Sequence, residues 1–200
     1  TDTNGTPLSE LYASRPAFFG SNCQKYDRFP LLIKLIDTMD DISVQVHPDD
    51  QYAMTHENSL GKTEMWYVLD AKRGASLVYG FNQDMTEQQV RSALADETIG
   101  NYLNCVPVHK NDLFYIESGT VHAIGAGALI AEIQENSDVT YRLYDYDRTD
   151  LQGRKRALHI DKALDVAKLT ASIAPRQPMR VLKYRNGCAG ELLGRCRYFQ

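Results

Sequence analysis

The sequence lacks a long apolar run and a basic cluster, and each absence excludes a class of protein. Its 200 residues contain no stretch of about 18 apolar residues, so we expect no membrane-spanning helix and no membrane partner. Residues 1–10 are polar and acidic, which is not typical of a signal peptide. The net charge of −4 comes without a cluster of Lys and Arg, so we expect no nucleic-acid partner.

Closely spaced cysteines are also lacking. The four cysteines are scattered, and no two of them form a CxxC pair: Cys23, Cys105, Cys188 and Cys196. This spacing favours neither a disulfide framework nor a zinc knuckle. We therefore expect reduced thiols and a cytoplasmic location.

Short β-forming runs separated by polar turns make up most of the chain. Residues 1–30 predict an N-terminal segment, 31–170 a β-rich domain, and 171–200 a connector followed by the start of a second β unit. Repeated short strands with few helices favour a sandwich or barrel over parallel βαβ units. The predicted strands cover residues 31–36, 42–47, 65–69, 77–81, 113–116, 129–134 and 140–146.

Helical patterns interrupt these strands. Thr86 is a favourable N-cap for a helix over 86–95, and a second helix is predicted over 97–103. Together they form a helical insertion around 86–104. A third helix is predicted over 159–169, where apolar residues fall close to one helical face.

The run ISVQVH at residues 42–47 predicts a strand with one polar face. A period of two places Ser43, Gln45 and His47 on one face and the three aliphatic side chains on the other. A solvent-facing strand would more often carry Thr, Lys or Glu. Gln-x-His directed into a barrel instead has the spacing of metal ligands.

Two further segments contribute polar groups. In residues 62–66, Lys62 and Glu64 share one face of an extended chain, and a turn at 119–125 carries His122 into an apolar stretch. Taken singly, a strand histidine is usually a hydrogen-bonded structural residue, and a glutamate is usually solvated. The hypothesis therefore depends on the residues acting as a set.

The set comprises two imidazoles, one carboxylate and one amide: His47, His122, Glu64 and Gln45. These groups suit a catalytic zinc ion that keeps room for water or substrate. The other histidines have no companion ligand in the sequence and are predicted to be surface groups: His56, His109 and His159.

Four segments, in this order, resemble a known enzyme family: SVQVHPDD (43–50), GKTEMWYVLDA (61–71), FYIESGTVHAIG (114–125) and YRLYDYDRTD (141–150). They are similar to the type I mannose-6-phosphate isomerases in their short bacterial form. The resemblance implies a cupin-type jelly-roll β-barrel, mainly β, with the start of a second cupin unit at the C-terminus. It also implies one Zn²⁺ per chain and a hexose phosphate substrate, with interconversion of mannose 6-phosphate and fructose 6-phosphate.

The resemblance assigns the same four metal ligands and adds residues for substrate and catalysis. Ser43 and Lys62 match residues that line the substrate pocket, and Arg148 matches a basic residue near the substrate. Arg142 matches the active-site arginine, and Glu132 matches an acidic residue of the pocket. Either Glu132 or Lys62 then serves as the base that moves a proton between two carbons.

Two alternative functions stay open at this point. Another metal enzyme of the same fold, such as an iron oxygenase, would carry several histidines around an open iron face, and the Gln45 ligand beside only two histidines argues against it. A degenerate cupin that only binds a sugar phosphate would not require Lys62, Glu132 and Arg142 beside an intact ligand set. Metal analysis discriminates the first alternative, and a coupled isomerase assay discriminates the second.

Overall fold

The computed structural model describes residues 4–172 and the backbone of 180–183 and 189–192. Its strands are β1 Leu31–Asp37, β2 Val44–Val46, β3 Glu64–Ala71, β4 Ser76–Phe81, β5 Leu103–Pro107, β6 Leu113–Ile116, β7 His122–Ile124, β8 Ala128–Glu135, β9 Tyr141–Tyr144, β10 Arg180–Lys183 and β11 Ala189–Leu192. Its α-helices are α1 Leu8–Ser14, α2 Asp50–His56, α3 Glu87–Ala95 and α4 Ile160–Val166. Single 3-10 turns cover Pro16–Phe19 and Ile99–Tyr102. The described chain is therefore mainly β, as predicted.

Nine of these strands form two antiparallel sheets. The four-stranded sheet has the order β1-β8-β3-β6, the five-stranded sheet has the order β5-β4-β7-β2-β9, and β10 pairs with β11. One apolar core combines Trp66 and Ile130 from the first sheet with Leu77 and Ile124 from the second. The two sheets therefore pack face to face.

A second apolar cluster covers the other face of the five-stranded sheet. Val44, Val46 and Leu143 of the sheet pack there with Val90 of α3 and Leu164 of α4. Because side chains alternate along a strand, Gln45, which lies between Val44 and Val46 in β2, must point toward the four-stranded sheet. Packing of the two valines against the helices thus leaves the Gln45 face of β2 between the two sheets.

The helical insertion begins where the sequence predicts it. The hydroxyl of Thr86 accepts a hydrogen bond from the backbone N–H of Gln89 at 3.2 Å, and the Gln89 side chain accepts one from the Thr86 N–H at 2.7 Å. The helix predicted over 97–103 is confirmed only as a single 3-10 turn over Ile99–Tyr102, after which the chain continues as β5. β5 is an edge strand with two buried side chains, so its alternation is weak.

Two other elements were not predicted. α2 begins directly after Asp49, whose carboxylate accepts a hydrogen bond from the backbone N–H of Tyr52 at 2.8 Å. The segment around His122, predicted as a turn, is the strand β7. Three residues are too few for a period of two to identify a strand.

Parts of the earlier predictions lie outside the described residues. Cys23 and Cys105 are free thiols, whereas Cys188 and Cys196 lie outside the described residues. The boundary near residue 170 stays a prediction. Within residues 4–172, and in the strands that follow, no helix is both long and apolar enough to cross a membrane.

Gly61 lies where the chain enters β3, and its replacement by alanine is expected to destabilise the fold. A Cβ atom there would lie 2.5 Å from both the carbonyl carbon of Asp49 and the backbone nitrogen of Asp50. Backbone cannot yield as a flexible side chain does, so we expect Gly61→Ala to cost about 1–3 kcal/mol in urea unfolding. Gly100→Ala is the control, because no atom beyond its chain neighbours and its own helical turn lies within 4 Å of the added Cβ. Equal losses in the two variants would contradict the steric explanation.

Candidate metal centre

The five-stranded sheet brings one row of polar side chains to its inner face. Gln45 of β2 pairs with His122 of β7 on one side and with Arg142 of β9 on the other. Directly paired residues of antiparallel strands point to the same face. Residues far apart in sequence therefore become lateral neighbours, and His47 follows two residues after Gln45.

The four-stranded sheet presents a second row opposite the first. Glu132 of β8 pairs with Trp66 of β3 and with Lys34 of β1. Glu64 lies on the same face as Trp66, two residues earlier. The indole of Trp66 packs edge-on against His122, with 5.4 Å between ring centroids, so the two rows meet.

His47, Glu64 and His122 form a buried cluster where the rows meet. Each residue is at most 1% exposed. His47 Nε2 lies 3.3 Å from Oε1 of Glu64, and His122 Nε2 lies 3.8 Å from Oε2. One ligand atom from each residue lies within 4.8 Å of the other two, so the three side chains could hold a single metal ion.

Gln45 completes the predicted ligand set. Its amide nitrogen lies 3.5 Å from Nε2 of His122. A half-turn of the amide group would place its oxygen at the same point, where it could coordinate a cation. All four ligands predicted from the sequence therefore lie together.

The donor atoms of the two histidines fit a metal ion. His122 donates from Nδ1 to the carbonyl of Thr120 at 2.8 Å, which leaves the lone pair of Nε2 free to coordinate. Among the described residues, neither ring nitrogen of His47 makes a hydrogen bond of good geometry, although its Nε2 lies 3.3 Å from Glu64. A buried polar atom without a partner is costly, and a bound cation would remove that cost.

Burial sets the protonation of the cluster. Burial lowers the pKa of His122 to about 4, and the neighbouring His47 acts in the same direction. Burial also lowers the pKa of His47, although Glu64 opposes the shift. Burial alone would raise the pKa of Glu64, but His47, His122 and Lys62 together hold it below its ordinary value. Neutral imidazoles beside an ionised carboxylate are the states that bind a metal.

Lys62, Trp66 and Glu132 surround the cluster. The ammonium of Lys62 lies 3.5 Å from Oε1 of Glu64 and is 93% buried as a side chain. The indole N–H of Trp66 donates to Glu64 at 3.0 Å and to Glu132 at 3.1 Å. Burial and then the charge of Glu64 raise the pKa of Glu132, while Lys34 opposes the shift.

Lys34 belongs to this site, although the sequence reasoning did not name it. Its Nζ donates to Oε1 of Glu132 at 2.8 Å and also to the side chain of Gln134. The available signal was one basic residue in the otherwise apolar strand LLIKLI at 31–36. Its partner lies 98 residues later in the chain, so the contact itself could not be read from the sequence.

Arg142 lies beside Ser43 at the edge of the five-stranded sheet. Its Nε donates to the hydroxyl of Ser43 at 3.3 Å, and its Nη1 donates to the carbonyl of Ala157 at 2.8 Å. Burial and then the charge of Arg156 lower its pKa. The prediction that His159 is a surface group was wrong, because it is half-buried and its Nδ1 accepts the backbone N–H of Arg142 at 3.2 Å.

Arg148 makes no contact with the cluster of His47, Glu64 and His122 in the described part of the chain. Its guanidinium pairs with Asp145 at 2.6 Å, donates to the carbonyl of Asp41 and lies 5.1 Å from the ring centre of Tyr146. Arg156 pairs with the same carboxylate. A role for Arg148 in substrate binding stays a prediction.

Comparisons with known sequences find proteins that are similar to this chain. A family model described as phosphomannose isomerase type I, catalytic domain, matches residues 1–72. The mannose-6-phosphate isomerase of Streptococcus mutans is 50% identical over 162 residues, which cover 81% of this chain and 50% of that protein. The chain is related to the type I phosphomannose isomerases. The Bacillus subtilis mannose-6-phosphate isomerase ManA is 47% identical over 166 residues, covering 82% of this chain and 52% of its own length.

Solved phosphomannose isomerase structures share the fold. The crystal structure of mannose 6-phosphate isomerase from Bacillus subtilis superposes with a TM-score of 0.86 at 37% identity, covering 96% of this chain and 60% of the other. A phosphomannose isomerase variant from Salmonella typhimurium superposes with a TM-score of 0.64 at 14% identity, covering 90% and 65%, and supports the fold alone. These matches confirm the resemblance and the cupin-type fold class. The chain spans about half the length of the curated relatives that it matches.

Proposed function

We propose that this chain carries the active site of a zinc-dependent mannose-6-phosphate isomerase. The observation that carries the proposal is the buried cluster of His47, Glu64 and His122, with one ligand atom of each within 4.8 Å of the others. The relatives named as mannose-6-phosphate isomerases support the same activity. The reaction moves a proton between C1 and C2 of the open-chain sugar through an enediolate.

Zinc is the metal that the donor set favours. Two imidazoles are borderline donors that suit zinc, the carboxylate and the amide oxygen of Gln45 are harder donors that zinc also accepts, and so few protein ligands leave room for substrate. When bound, zinc supplies a Lewis acid that polarises the sugar oxygens. Iron together with oxygen uptake would instead support the oxygenase alternative.

Glu132 is the residue to which we assign proton transfer. Burial and the charge of Glu64 raise its pKa above that of an ordinary glutamate, which makes it a stronger base. The buried ammonium of Lys62 lies 3.5 Å from a carboxylate oxygen of Glu64, so its positive charge faces the cluster. Lys62 is thus better suited to stabilising negative charge on the substrate than to accepting a proton.

Fixed cations would stabilise the enediolate and hold the phosphate. Arg142 is paired in register with Gln45, and Lys62 lies 3.5 Å from Glu64, so each cation adjoins a proposed ligand and can stabilise developing charge without reorganising. For the phosphate we propose Ser43, Lys62 and Arg148. Arg148 can turn toward a phosphate without leaving Asp145 unpaired, because Arg156 also contacts that carboxylate.

A coupled assay tests the proposal directly. The protein is supplied with mannose 6-phosphate, and fructose 6-phosphate is detected before and after metal removal by a chelator and after zinc is restored. We expect activity that disappears with the chelator and returns with zinc. Turnover that resists the chelator, or zinc-loaded protein that binds the sugar phosphate without converting it, would contradict the proposal.

Lys62→Ala is expected to slow turnover while the zinc content stays at one ion per chain. The substitution removes a buried cation that faces the site but no metal ligand, so we expect kcat to fall about 10- to 100-fold. Metal analysis and the coupled assay measure the two quantities. Lys110→Ala, which removes an exposed lysine, is the control. Loss of zinc from Lys62→Ala would mean that Lys62 supports the ligands and not the substrate.

A further inference from the structure

Three consecutive backbone N–H groups are all bound just before β3. The amide of residue 61 donates to Oδ1 of Asp50 at 3.0 Å, that of residue 62 to the carbonyl of Pro48 at 3.0 Å, and that of residue 63 to Oε2 of Glu135 at 2.7 Å. Two of the three acceptors are therefore carboxyl side chains from other elements, α2 and β8. The segment 61–63 is held at every residue.

This segment determines the position of two groups of the proposed active site. Lys62 lies within it, and Glu64 follows it directly. Thr63 is fixed on both sides, since its carbonyl also accepts the backbone N–H of Glu135 at 3.1 Å. On the opposite side, Pro48 comes directly after the proposed ligand His47. The contacts thus join two ligand-bearing segments that are otherwise separated by α2.

The two carboxyl groups also interact with each other. Asp50 acts on Glu135 through its charge and through a hydrogen bond between the side chains. Burial raises the pKa of Glu135 to about 7, Asp50 raises it as well, and the N–H of Thr63 opposes the shift. Two carboxyl groups in hydrogen-bond contact require a shared proton. Protonated Glu135 can donate to Asp50 while its other oxygen accepts from Thr63.

We propose that Glu135 and Asp50 are positioning residues that hold segment 61–63, and through it Glu64 and Lys62, in the geometry that the metal site needs. The inference rests on the proposed function, because the two carboxyl groups would support residues of the proposed metal site. Neither residue contacts the three clustered ligands in the described structure. Groups that orient metal ligands from behind typically contribute 10- to 100-fold to metal affinity or activity.

The test measures zinc affinity by competition with a chromophoric chelator, so it does not depend on turnover. We expect Glu135→Ala to weaken zinc binding 10- to 100-fold. Glu135→Gln should recover most of that loss, because its amide can accept from Thr63 and donate to Asp50. Glu117→Ala is the matched control, since Glu117 is an exposed glutamate that pairs with Lys168. We expect wild-type affinity in that control.

A pH series separates positioning from simple stabilisation. The folded-state pKa of Glu135 lies above its ordinary value, so its contribution is present at low pH and is lost as the pH rises through about 7. The ratio of zinc affinities of Glu135→Gln and wild type should therefore increase between pH 6 and pH 8. Taking the ratio cancels the titration of the ligands themselves. The described charged group that acts on Glu135 is Asp50, and Asp50→Asn should flatten the same dependence.

The outcomes distinguish this inference from the proposed function. Unchanged zinc affinity and kcat in Glu135→Ala, with only a lower melting temperature, would overturn the positioning role. Equal losses in Glu135→Ala and Glu135→Gln would overturn it as well. Wild-type protein that binds zinc but does not isomerise mannose 6-phosphate would contradict the proposed function. The zinc affinities of the variants would still test the positioning role.

Discussion

Replacing His122 with alanine is expected to abolish zinc binding and to lower kcat/KM at least about 10³-fold. The variant removes one of the clustered donors and leaves Gln45, His47 and Glu64 without the shared cation. In the proposed mechanism, both the polarisation of the substrate and the stabilisation of the enediolate charge would depend on that cation. Metal analysis after dialysis and the coupled assay over a range of mannose 6-phosphate concentrations measure the two effects.

The control for this experiment is His109→Ala. The side chain of His109 is 73% exposed and lies 3.6 Å from Asp112 rather than against the cluster, so we expect wild-type zinc content and rate. His122→Gln is a second variant that keeps a polar side chain in the buried position and guards against misfolding. If folded His122→Ala retained one zinc ion per chain and most of its activity, the cluster would not be the metal site.

Arg142→Ala is expected to lower kcat about 10²- to 10³-fold with zinc content unchanged. Arg142 is paired in register with Gln45, and its guanidinium is held by Ser43 and by the carbonyl of Ala157. A cation fixed in this way stabilises charge that develops on the substrate without reorganising during the reaction. The coupled assay gives kcat and KM separately, and metal analysis of the same samples gives the zinc content.

Arg154→Ala provides the comparison for Arg142→Ala. Arg154 is an exposed arginine that pairs with Asp150, and a surface ion pair of this kind contributes little. We expect the rate of that variant to match the wild type. Loss of zinc from Arg142→Ala would reassign Arg142 to the support of Gln45. An unchanged kcat would remove it from the catalytic groups.

Local patterns were sufficient for much of the fold. The alternation in residues 42–47 correctly separated Val44 and Val46, which pack against the helices, from Gln45. Thr86 correctly marked the start of α3. The short strands β5 and β7 were not predicted, because β5 lies at a sheet edge and β7 has only three residues. Period and propensity carry little information in such segments.

Some residues of the candidate site could be predicted from local patterns, and others could not. Gln45, His47, Glu64 and His122 could be named because each stands out within its own segment, and the family motifs agree with them. Lys34 could not be placed, since its partner Glu132 comes from a strand that only the sheet order brings alongside β1. The Asp50 and Glu135 pair is hidden for the same reason. Neither carboxylate differs in the sequence from an ordinary exposed one.

The sequence by itself determined which side chains can coordinate a metal and which strand faces are polar, because both follow from residue type and from a period of two. Only the tertiary structure decided that those faces meet, that Lys34 joins Glu132, and that Arg148 donates to the carbonyl of Asp41, 107 residues earlier in the chain. Strand neighbours, burial and the pKa values that burial shifts arise from contacts between segments distant in the chain. No local pattern encodes these contacts.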